Sequence, residues 1–407
     1  MLVRASRAES ALTGLDPIKE TSVRIFRQWW SARLLNLLAL ASPLILMAGC
    51  GGGGGRGSPI PAGPTAGFAF IANSGSADVS AFAVSTNGVL SSVPGSPFLA
   101  DAGAEFMALD SVHDFLFVSN QNANNLSAFS VSTTSGALTP VPGSPFPTGT
   151  TPHGVAVDPM GEFVFVGNQS DNTISVFSIN SASGALTPVP GSPFTGVDSP
   201  FGVAVNPSGT FLYVNDINTN TVSGFQIDPN SGALTAVPGL SFPTGQTPIG
   251  LIADPNGKFL YVGDHMQDTV SAYSIDPVSG ALARTSGPSV ASTGCPGCHM
   301  NTRPLRLAIH PSDKFAYVTN VAGNSLSAFN LNDGMLSPIS APVPTGQHPF
   351  GVAFDPTGNF LYVVNKVDNS ISAFSVDSMT GALSPLPGSP FPAGGSLPTG
   401  IVTVPKR

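Results

Sequence analysis

One tetrapeptide pattern, Phe-x-(Phe/Tyr)-(Val/Ile), recurs seven times, starting at Phe68, Phe115, Phe163, Phe211, Phe259, Phe315 and Phe360. Successive starts lie 47, 48, 48, 48, 56 and 45 residues apart. That interval is too long for leucine-rich or ankyrin repeats and matches the length of a four-stranded propeller blade. A unit of this size cannot bury its apolar faces alone, so the repeats must stack, and a ring of seven does so without leaving an open end.

The third copy shows how one unit divides. Gly154-Val-Ala-Val157 reads as a first strand and Asp158-Pro-Met-Gly161 as the tight turn after it. Phe163–Val166 is the second strand, followed by a hairpin from Asn168 to Asn172. Ile174–Ile179 alternates with period two, Ser183-Gly184 turns the chain, and Ala185–Val189 is the fourth strand. The proline in that last strand, and Pro190-Gly-Ser-Pro193 after it, suit a sheet edge where a missing N–H costs little. The fourth strand is therefore the outer rim and the first lines a central channel.

The termini test closure independently. The copy at Phe68 lacks a first strand before it, and the chain ends on Pro398-Thr-Gly-Ile-Val-Thr-Val404, which reads as the missing one. The predicted fold is all-β: seven four-stranded antiparallel blades over residues 67–407, closed by a C-terminal strand that completes the first blade. Composition agrees. With 46 Gly, 39 Pro and 9% charged residues, and no Gly-X-Y period, the chain is neither collagen, coiled coil nor a disordered polyelectrolyte.

Residues 1–49 differ in kind. Arg24, Arg27 and Arg33 precede an apolar run from Leu34 to Met47, ending in Leu46-Met-Ala-Gly-Cys50. The run is shorter than the roughly twenty residues a spanning helix needs, which favours a cleaved export signal over a retained anchor. The segment resembles a bacterial lipoprotein signal. That resemblance implies lipidation of Cys50 and an envelope location anchored by lipid alone; the lack of an aspartate after Cys50 points to the outer membrane. Residues 50–66, with Gly51 to Gly55 and a Pro-rich stretch, read as a tether. Loss of residues 1–49 leaves nine Lys+Arg against 20 Asp+Glu, with no basic stripe, so nucleic acid is excluded as a partner. A monomer is expected.

The repeated (Phe/Leu)-Tyr-Val-x-Asn after Gly-Val-Ala-x-Asp-Pro-x-Gly resembles the YVTN-type propellers of the lactonase family, which includes 6-phosphogluconolactonases and a muconate-lactonising enzyme. The resemblance covers all seven units, on residues that are mostly turns and packing. Fold alone does not settle function.

Candidate chemistry follows from sorting rare polar residues by face. Loops joining second to third strands, and fourth strands to the next blade, open on one face; the Asp-Pro turns lie on the other. Glu105, His153, His265, His299, Arg303, Arg306, His348 and Lys366 fall on the first face or the channel mouth, His113 and His310 on the opposite one. The positions before the first-strand glycine form a ring of Thr399, Glu105, His153, Phe201, Ile249, Leu305 and Phe350, with Arg306 in the glycine place of the sixth blade. A carboxylate, an imidazole and a guanidinium could converge there. Lactone opening needs a general base, which His153 or Glu105 could supply, and a cation for the oxyanion, which Arg306 could supply. The resemblance implies a similar His, Glu and Arg set, matched by motif only at Pro152-His153-Gly154; Glu105 and Arg306 are placed by register.

Between the fifth and sixth units, Cys295-Pro-Gly-Cys298-His299 fits the attachment string for c-type haem, with His299 as proximal and His265 or Met266 as distal ligand. The alternative is a Cys295–Cys298 disulfide stiffening an inserted loop; two thiolates and one imidazole lack a fourth ligand for a metal. Asn120, Asn168, Asp216, Asp264 and Asn320 recur once per unit and are read as hairpin residues in left-handed geometry rather than calcium ligands. No GxSxG elbow, P-loop or HExxH occurs. The leading reading is thus a binding platform for an envelope protein, a glycan or a small lactone. A lactone hydrolase using His153, Glu105 and Arg306 is the alternative, and haem-based electron transfer the third.

Overall fold

The computed structural model describes residues 63–285, 290–292 and 302–407. They form seven antiparallel sheets arranged as propeller blades, and no described residue is helical. In the third blade the order from axis to rim is Pro152–Val157, Phe163–Asn168, Thr173–Ile179 and Leu186–Pro188. The first blade is stitched as expected. Pro398–Pro405 takes the inner place beside Thr65–Asn73, with Phe68 opposite Val404 and Phe70 opposite Val402. Its strand starts at Thr65, so the last two residues assigned to the tether belong to the sheet.

The phenylalanine that sets the repeat's phase turns out to join neighbouring blades. In each blade it packs on the glycine of the outer turn in the next: Phe68 on Gly136, Phe115 on Gly184, and so on around to Phe360 on Gly88, where the ring closes. A Cβ on Gly184 would lie 2.6 Å from the Phe115 ring, at a φ of +72° that side chains avoid. Three second-strand tyrosines reinforce the joint by donating to those turns, among them Tyr362 to the Gly88 carbonyl at 2.9 Å.

The rim has a feature that the sequence pattern hid. After the short outer strand the chain crosses Gly-Ser-Pro and returns to the third strand for a two-residue pairing, as in Phe146–Pro147 against Asn125 and Leu126. Between the two pieces the Ser144 hydroxyl accepts the Ala128 N–H, standing in for a ladder acceptor. The same serine contact recurs at Ser96, Ser192 and Ser389. The exposed edge is thereby covered against pairing with another chain.

The hairpin Asn and Asp residues are not left-handed turn residues, contrary to expectation. The left-handed positions are Asn124, Asn172, Asn220, Asp268 and Asn324, four residues later. Asn120, Asn168, Asp216, Asp264 and Asn320 instead end the second strands, fully buried. Each reaches the serine seven residues on, as Asn168 Nδ2 does to Ser175 Oγ at 2.8 Å. Local turn chemistry was the wrong cause; a buried hydrogen-bond knot is the right one.

Candidate functional site

Every inner strand carries a register break at its mouth end, between Ala104 and Met107, Pro152 and Val155, and Pro304 and Leu307, for example. A bulge leaves residues unpaired and re-aims them, which is why this ring can hold chemistry. Glu105 and His153 are both bulge residues. Five blades have glycine next in line, whereas blades two and six have Phe106 and Arg306. Their displaced N–H groups are satisfied by hydroxyls of the adjacent strand: Ser119 Oγ accepts from Phe106 at 3.2 Å, and Thr319 Oγ1 from Arg306 at 3.0 Å.

The structure brings Glu105 and His153 into contact, with Oε2 and Nδ1 2.9 Å apart. Both are buried, at 6% and 2% exposure. Burial alone would raise the Glu105 carboxyl; the imidazole of His153, with Lys366 and Arg306 farther off, outweighs it and holds the group below its ordinary value. At the other ring nitrogen, Nε2 lies 3.2 Å from the Gln121 amide nitrogen and 3.0 Å from the Gln169 oxygen. So arranged, Gln121 donates to the neutral ring and Gln169 accepts from the protonated one. Phe201 stacks on the imidazole at 4.3 Å between centres.

Arg306 crosses the axis and lies over Phe106, Cζ 3.8 Å from the ring centre. Phe106 in turn meets the His153 ring edge-on at 5.8 Å, so the guanidinium carbon is no farther from the imidazole centre than these two distances laid end to end. Burial pushes the Arg306 guanidinium down to about 10, with Glu105 opposing. The ring's apolar members Phe201, Ile249, Leu305 and Phe350 are buried around them. In blade four Phe201 is buried while Val203 to Val205 are half-buried, whereas in blade six Arg306 is half-buried and Leu307 to Ile309 are buried. The mouth end of the channel is closed by side chains, and a cavity of about 150 Å³ lies directly below Phe106 and Arg306.

Lys366 sits over the Phe350 ring at 4.8 Å. His265 and His348 are pushed down to about 4, first by burial and then by neighbouring cations, Lys366 for His348 and Arg303 for both. His265 directs Nδ1 at the Pro304 carbonyl, 3.1 Å away, a pairing that leaves Nε2 as its bare nitrogen. On the opposite face His113 pairs with Asp110 at 2.9 Å and His310 is held by Ser312 and Gly358. Cys50, Cys295, Cys298 and His299 lie outside the described residues. Sequence reasoning missed Gln121, Gln169 and Phe106. The first two follow the strand-ending asparagine in blades two and three, so aligning that position as well would have found them.

A closed seven-fold propeller with an acid–imidazole pair on its inner ring is the class that this geometry defines. The sequence matches the profile of the lactonase family, a seven-bladed β-propeller, over residues 63–200 and 202–396, and the chain belongs to that family. Solved structures with the same fold include a candidate 6-phosphogluconolactonase from Bacteroides uniformis (20% identity, TM-score 0.73, covering 84% of this chain and 100% of that one). Another is the periplasmic gluconolactonase PpgL of Pseudomonas aeruginosa (18% identity, TM-score 0.72, 84% and 99%). A Lactobacillus plantarum protein is as similar (20%, TM-score 0.72, 84% and 99%). No functionally curated protein matches in sequence.

Proposed function

We propose that this protein hydrolyses a lactone at the mouth of the channel, with His153 as general base. The observation that carries the reading is the buried Glu105–His153 contact at 2.9 Å, with the carboxylate held in its charged form. Glu105 fixes the ring so that Nδ1 faces the carboxylate and Nε2 faces the two amides. Nε2 takes a proton from water as the water oxygen bonds to the lactone carbonyl carbon; Gln169 accepts from the Nε2–H so formed. Arg306 supplies positive charge for the oxyanion. Collapse of the tetrahedral intermediate breaks the ring C–O bond, and His153 returns the proton to the leaving alkoxide, giving a hydroxy acid. The lactonase profile and the gluconolactonase fold of PpgL support the same reaction class.

The test is turnover of a panel of sugar and simple lactones by pH-stat, with His153→Ala and Glu105→Gln alongside. Turnover that falls on the order of a hundredfold in His153→Ala supports the reading. No rate above spontaneous hydrolysis, or a His153→Ala variant as fast as the parent, overturns it.

One observation favours the second reading, a binding platform for an envelope protein or glycan. His153 and Glu105 are almost wholly covered, and a substrate must displace Gln121 to reach Nε2. A protein that turns over no lactone and retains an unchanged melting point in Gln121→Ala fits a platform. For location, we propose export and lipid anchoring through Cys50; Cys50→Ser then moves the protein from the membrane fraction to the soluble one.

A further inference from the structure

We propose that the cavity beneath Phe106 and Arg306 is a binding site for a small monocarboxylate, its carboxylate on the Arg306 guanidinium and its short hydrocarbon end against the inner strands. The site faces down the channel and shares Arg306 with the lactone reaction proposed above. Its walls include Met107, Val155, Val203, Leu307 and Val352.

The sequence builds it by an exception to the repeat. Where blades two and six carry Phe106 and Arg306, Gly154, Gly351 and Gly400 line the same layer. A Cβ on Gly154 or Gly351 would lie 2.4 Å from the next blade's backbone oxygen, so a side chain there would force the inner strands apart. The Ser119 and Thr319 hydroxyls that receive the Phe106 and Arg306 N–H groups fix these two places for side chains.

The ligand's charge follows from what Arg306 lacks. Glu105 is taken by His153 at 2.9 Å, and among the described residues no oxygen pairs with the Arg306 guanidinium, whose contact is the face of Phe106. The guanidinium is half-buried and lines the cavity, and a carboxylate there matches its fork of N–H donors with two parallel hydrogen bonds. A phosphate dianion fits less well: one guanidinium balances one negative charge, and Glu105 repels a second.

Size and wall chemistry complete the class. A cavity of about 150 Å³ holds a molecule about the size of benzene. That admits a carboxylate with roughly two to four further carbons, whose tail replaces water against valine, leucine and methionine.

The experiment is calorimetric titration of the full-length protein with butyrate, butyramide, butylamine, octanoate and inorganic phosphate. One-site binding of butyrate is expected, at least tenfold tighter than butyramide, octanoate or phosphate, with none for butylamine. Arg306→Met should weaken butyrate at least tenfold. Val352→Phe, which fills the well and keeps the cation, should abolish binding, and covers the case in which Arg306→Met does not fold. No saturable butyrate binding, equal binding of butyramide, or unchanged affinity in either folded variant overturns the proposal. Because butyrate is not a lactone, this outcome is separate from whether any lactone is hydrolysed.

Discussion

Replacing Asp216 and Asp264 by asparagine should stabilise the propeller at neutral pH, and the repeat itself supplies the control. Five blades place asparagine at this buried position, with its amide on the serine seven residues on; blades four and five place aspartate there, accepting from Ser223 and Ser271. The backbone contact is shared: Asn168 Oδ1 accepts the Gly149 N–H at 3.1 Å, and Asp264 Oδ1 the Gly245 N–H at 2.9 Å. Asparagine therefore fits without rearrangement. Burial, opposed by these hydrogen bonds, pushes both carboxyls up to about 6 from an ordinary 3.8. At about 1.4 kcal/mol per pH unit, each ionised carboxylate costs the fold up to about 3 kcal/mol. The sign is fixed by linkage. The folded value lies above the unfolded one, so the cost is absent below about pH 4 and grows until pH passes about 6. Asp216→Asn and Asp264→Asn should each gain up to about 3 kcal/mol over the parent at pH 7.5 and nothing at pH 4. Urea unfolding at both pH values reads this directly, and the parent-minus-variant difference cancels the opposite contribution of His265 and His348. A variant equally or less stable than the parent at pH 7.5, with an unchanged denaturant slope, refutes the reasoning.

Three further perturbations test separate parts of the structure. Gly184→Ala puts a Cβ 2.6 Å from Phe115 at positive φ and should cost about 2–4 kcal/mol in urea unfolding, whereas Gly263→Ala, whose nearest contact is Leu307 Cδ1 at 3.4 Å, should cost less. Ser119→Ala leaves the buried Phe106 N–H without its acceptor and should cost about 1–3 kcal/mol, while Ser119→Thr, the residue at the matching place in blade six, should cost less; equal losses would remove the hydroxyl from the account. Glu105→Gln should lower kcat for lactone opening roughly tenfold to a hundredfold with little change in KM, since the carboxylate holds the base and not the substrate; a change confined to KM would contradict that role.

The ring was legible in the chain's own repeat. Period, strand pattern and the unpaired first and last segments dictated seven four-stranded blades and the closure of blade one through Pro398–Pro405, because apolar alternation and turn residues are local and repeat in register. It also placed Glu105 and His153 on neighbouring blades, since the same register that aligns strands aligns the residues on them. What those residues do to one another is set by packing across the axis. That Glu105 holds the His153 ring, that Gln121 and Gln169 meet its far nitrogen, and that Arg306 lies on Phe106 all depend on side chains from different blades meeting across an axis no local pattern describes. The hairpin asparagines show the same limit from the other side: a residue type suited to turns was spent on a buried knot, because burial and partners seven residues away outweigh local propensity.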